Sequence, residues 1–89
     1  MKIIRNEKNK RLDIICDNNK QFKWMRRLLK LNRIHKKATC NFDQETKTTN
    51  IFFNDKEEYY KFTEPFIKEM QHAMACAQEK GMVFSIEIK

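Results

Sequence analysis

The chain has 89 residues, is 40% hydrophobic and contains one glycine and one proline, which allows a single domain, 1–89, with one core and short connections. Nineteen Lys and Arg against twelve Asp and Glu give a formal charge of +7. This composition excludes a disordered basic tail, and no apolar run approaches the roughly 20 residues that a bilayer span needs.

Residues 2–5 read as a short strand, Asn6 to Asn9 as a polar turn and Arg11–Cys16 as a second strand, a candidate hairpin. Asp17 is a natural N-cap for a helix running to about residue 36. At 100° per residue, Phe22, Met25, Leu28 and Leu29 share one side, widened by Trp24 and Leu31. The opposite half holds Lys20, Lys23, Arg26, Arg27, Lys30, Arg33 and Lys37, with only Lys36 outside it. Residues 38–42 alternate in polarity as a half-buried strand does. A turn at 43–45 and a β-rich stretch at 46–53 complete a second predicted hairpin. Asp55 and Glu58 form a capping box that starts a further helix over 56–62. Pro65 predicts a kink or restart at 63–65. A stripe of Phe66, Ile67, Met70, Ala73, Met74 and Ala77 then runs on to Gly81 as a helix stop. Alternation over 82–89 predicts a last strand.

From Arg11 onward this order is βαββαβ, the ferredoxin-like split arrangement: α+β, with two helices on one face of an antiparallel sheet. The additional N-terminal strand is expected at a sheet edge, or covering one.

The most informative stretch is 18–42, twenty-five residues with eight cations and no acid. It supplies +8, so the rest of the chain sums to −1. A solvated helix face ordinarily mixes signs, because Glu–Lys pairs four apart support the helix. Here Lys23/Arg27, Arg26/Lys30 and Arg26/Arg33 set like charges together at a small cost. The expected function is therefore a small non-enzymatic module that binds the phosphates of DNA or RNA through Lys20, Lys23, Arg26, Arg27, Lys30, Arg33 and Lys37. With four to six duplex contacts, log K is expected to fall with log salt at a slope of about −4 to −5. The alternative is a protein–protein inhibitor or adaptor of viral type, whose basic helix meets an acidic partner surface. A homodimer through the open sheet face is a third arrangement.

The βαββαβ order also belongs to the RNA-recognition fold, which stacks bases on aromatics of its central strands. The match is poor: Leu12–Asp17 has no aromatic, and Phe52 or the Ile51/Phe53 pair is all that the other central strand offers. Tyr59, Tyr60 and Phe62 cluster in the mildly acidic half, 43–89, where closing the core edge is the simpler role.

Catalysis is not expected. One glycine permits no Gly-rich phosphate loop. His72 and Cys76 lie one helical turn apart, but a closed zinc site needs four ligands and the spacing of Cys16, Cys40 and His35 does not supply them. Asp17 ends the strand before the first helix, where small ferredoxin-like nucleases place a metal ligand, yet only Asp13 is near in sequence. No metal or cofactor is called for. Three scattered cysteines without a Cys-x-x-Cys read as reduced core residues. The N-terminus meets charge too soon for a signal peptide, so a soluble cytoplasmic protein is expected.

Overall fold

The computed structural model describes residues 1–76 and 84–89, except the side chains of 74–76. The chain is α+β. Its elements are β1 (Lys2–Asn6), β2 (Arg11–Ile15), α1 (Asn19–Leu31), a 3-10 turn (Ile34–Lys36), β3 (Ala38–Asp43), β4 (Thr48–Phe53), α2 (Lys56–Cys76) and β5 (Ser85–Ile88).

The described strands form one mixed sheet in the order β3-β4-β2-β1-β5. Both predicted hairpins are present, β1 with β2 and β3 with β4. Two expectations fail. The N-terminal strand is not at an edge: it separates β2 from β5, the two strands that would be neighbours in the ferredoxin-like order. The sheet is also not purely antiparallel, because β5 runs parallel to β1. The cause is visible in the composition of β1, where Ile3 has both flanks paired, to Ile14 and Ile86, and is wholly buried. An apolar strand with both edges hydrogen-bonded is more stable inside a sheet than at its margin.

One sheet face carries Ile3, Leu12, Ile14, Ile51, Phe53 and Ala38, all in register and buried. Phe22, Met25 and Leu29 of α1 and Tyr59, Phe66, Ile67 and Met70 of α2 join them in one core cluster. Phe53 meets Tyr59 edge-on at 5.7 Å, and Phe62 stacks on Phe66 at 5.0 Å. Tyr59 and Phe62 thus close the core, while Tyr60 stays exposed. Arg5 points to this same face and binds Glu7 and Glu64, each at 2.8 Å, tying α2 to β1.

Four local expectations change. Asn18, not Asp17, caps α1, its side chain accepting from the Gln21 amide at 2.8 Å. Asp17 instead binds the amino terminus of Met1 at 2.7 Å. α1 stops at Leu31, five residues short of the predicted end near 36. Trp24 and Leu31 leave the core side, at 39% and 74% exposure. α2 runs through Pro65 without the predicted restart, anchored on both sides by buried Thr63 and Phe66. The Asp55 cap is present, accepting from the Glu58 amide at 2.9 Å. The predicted stop at Gly81 and the start of the last strand at Met82 lie outside the described residues.

The end of α1 has a physical cause. Arg33 takes φ 53°, left-handed backbone that costs a residue with a Cβ about 1–2 kcal/mol. The reversal buries Ile34, a gain of about 1.5–3 kcal/mol. Replacing Arg33 by Gly is therefore expected to raise unfolding free energy by up to about 1 kcal/mol in urea titration. A loss of about 1 kcal/mol is what a glycine inside a continuous helix would give, and that result would contradict the break at residue 32.

Candidate polyanion interface

The interface begins with the cap geometry of α1. Asn18 fixes where the helix starts, and Phe22, Met25 and Leu29 fix which side is buried. Lys20, Lys23, Arg26, Arg27 and Lys30 then fall on the exposed side, within an arc of about 120° at 3.6 residues per turn. From Lys20 to Lys30 this ridge is about 15 Å long at 1.5 Å per residue.

Two of the seven predicted residues leave it. Arg33 occupies the left-handed turn, beyond the helix. Lys37 follows the 3-10 turn and lines a separate small cleft with Asn32, Lys61, Phe62, Pro65, Phe66 and Glu69. Both displacements follow from the early end of α1: past residue 31 the helical spacing no longer holds.

In their place the fold adds a trench. Lys23, Arg26, Arg27 and Lys30 form one wall, and Ile34 and His35 of the 3-10 turn also line it. Cys40 and Phe42, on the helix-side face of β3, form the floor of a cleft of about 560 Å³. Arg26 crosses it, its guanidinium 5.1 Å from the Phe42 ring centroid and 5.9 Å from that of Phe22. Both distances are within cation–π range, so two aromatic faces hold a side chain that would otherwise be mobile. The Cys40 thiol is pushed up by burial and stays protonated at neutral pH, which makes it part of the floor rather than a nucleophile.

The electrostatics are one-sided. Lys2, Arg5, Arg11 and Lys61 each pair with a carboxylate. Among the described residues no ion pair involves Lys20, Lys23, Arg26, Arg27, Lys30, Arg33, Lys36 or Lys37. The first turn of α1 contains no acid and does contain Lys20, a cation at the positive end of the helix dipole.

The other candidates separate from this site. Phe52 does face outward, on the sheet side away from the helices, with Arg11 6.0 Å from its ring. Asp13, 6% exposed on that face, accepts from Asn50 at 2.6 Å and from Arg11 at 3.2 Å. Asp13 and Asp17 are thus engaged by different partners. Among the described residues no three His, Cys, Asp or Glu converge as metal ligands. Cys16 is buried, and the side chain of Cys76 lies outside the described set. No described helix is long and apolar enough to cross a membrane.

Sequence reasoning identified the wall but missed the floor. Phe42 and Cys40 were legible as one side of a strand; that this side meets Arg26 depends on where α1 packs. Compared with models of protein families, with curated proteins and with solved structures, the chain matches none.

An unpaired cationic lattice opposes folding, and each like-charge pair four apart costs about 0.2–0.5 kcal/mol. Added salt screens it. The melting temperature is expected to rise by a few degrees between low and physiological NaCl. Arg27→Glu, which turns repulsion from Lys23 into attraction, is expected to melt higher than wild type at low salt and to lose most of that dependence. Equal salt responses in calorimetry would show that the ridge carries no uncompensated field.

Proposed function

We propose that this protein is a small nucleic-acid-binding module whose first helix holds phosphates with Lys20, Lys23, Arg26, Arg27 and Lys30. The observation that supports it most is that, among the described residues, these five cations share one face of one helix and none forms an ion pair, while Lys2, Arg5, Arg11 and Lys61 elsewhere each do. A surface held at a stability cost is explained by a ligand that repays it on binding, and phosphates are the polyanion that such a ridge neutralises. Phosphate contacts position a ligand without reading its sequence, so sequence preference is expected to be low. Nothing in this mechanism calls for bond making or breaking.

A second reading rests on a different observation. Trp24 and Leu31 are exposed on the flank of α1 beside Lys20 and Arg27. Aromatic and Arg residues side by side are typical anchors of protein interfaces. An inhibitor or adaptor that seats this flank on an acidic partner is the alternative function.

With three to five phosphates neutralised, log K is expected to fall against log salt at a slope of about −3 to −4.5 on duplex DNA. Replacing Lys23, Arg26, Arg27 and Lys30 by Glu is expected to abolish retention of DNA and RNA in a low-salt shift assay, with circular dichroism unchanged. Undiminished retention by the folded variant rejects the reading. Capture of a protein that survives nuclease treatment, with no nucleic-acid shift in the wild type, favours the inhibitor.

A further inference from the structure

We infer that the trench between α1 and β3 seats an unpaired base of a single-stranded nucleic acid, stacked on the outer face of the Arg26 guanidinium, whose inner face lies over the Phe42 ring. Lys23, Arg27 and Lys30 hold the flanking phosphates. The inference rests on the phosphate reading above and adds which form of nucleic acid the site takes.

A phosphate ridge needs cations alone. This site also has an apolar floor of Cys40 and Phe42, and Phe42 is 37% exposed. The apolar floor offers a phosphate nothing, whereas it matches the face of a base. The volume, about 560 Å³, is within the roughly 300–1,000 Å³ of sites that enclose small organic ligands. A duplex keeps its bases inside the stack, so only an unpaired strand can present one to this floor. Aromatic rings and Arg planes are the surfaces on which single strands stack, within grooves whose cations follow the backbone. Here the two are layered, the Arg26 guanidinium lying over the Phe42 ring 5.1 Å from its centroid. β3 is the outermost strand at this side of the sheet, so among the described residues no further strand lies beyond the trench. No acid lines it, which disfavours a cationic or mixed-charge peptide.

The experiment uses fluorescein-labelled oligothymidylate, its duplex with oligoadenylate, and an abasic strand of equal length and phosphate number, in fluorescence anisotropy at fixed salt. Oligothymidylate is expected to bind the wild type about five- to 150-fold more tightly than the abasic strand, the range set by one stacked base. Phe42→Leu keeps an apolar side chain but removes the ring that supports Arg26, and is expected to lose most of that difference, read as the ratio of thymidylate to abasic affinity within the variant. Equal affinity for thymidylate and abasic strands overturns the base-binding trench and leaves phosphate binding intact. Absence of binding to every strand overturns both. Displacement of oligothymidylate by polyglutamate at equal charge overturns the inference in favour of an acidic protein.

Discussion

The interface depends on one reversal of the backbone. α1 ends where the Asn32 amide bonds back to Leu28 and the Arg33 amide to Lys30, and Arg33 then enters left-handed space. A continuous helix would have carried Ile34 outward along the ridge. The reversal places Ile34 in the core instead, leaves His35 at the surface, and brings the chain back as β3 beside the helix it has just left. Without it the cations of α1 would form a convex ridge only. With it they become one wall of a trench.

The width of the sheet supplies the rest. Strands spaced about 4.8 Å apart and helices about 10 Å across mean that two helices cover about four strands. β1, inserted between β2 and β5, makes a fifth. The outer rows are left partly bare: Phe42 on β3, and Ile88 on β5 at 67% exposure. On β5 no cationic helix adjoins the bare row among the described residues. On β3 one does, and an apolar strip beside a cationic wall is a chemically specific surface, whereas either alone would be unremarkable.

Periodicity made most of the elements legible because each has one buried face. The two hairpins, the Asp55 cap and the core residues Phe22, Met25, Leu29, Phe66, Ile67 and Met70 all follow from local patterns. What was not legible depended on partners distant in sequence. Ile3 could not announce that it pairs on both sides, since an edge strand and an internal one share the same alternation. Trp24 and Leu31 looked like core because a helical wheel shows position but not the width of the surface that covers it. The break at residue 32 lacks its usual signal, a glycine, and Arg33 in left-handed backbone gives none. Arg33 and Lys37 were placed on the ridge for that one reason. Asn18 and Asp17 are both good caps, and the choice between them was made by the amino terminus of Met1 folding back onto Asp17.

The charge pattern makes sense only with its geometry. Several cations elsewhere are neutralised within the fold, as Arg5 is between Glu7 and Glu64 and Arg11 is by Asp13. Those of α1 are directed outward over a cleft with an aromatic floor. The most direct measurement is amide chemical-shift mapping with a short oligothymidylate strand. The account predicts shifts concentrated at residues 20–30, His35, Cys40 and Phe42, with Phe52, Arg11 and Asn50 on the opposite sheet face unmoved. Shifts centred on Phe52 and its neighbours, or none on α1 at saturating strand, would contradict it.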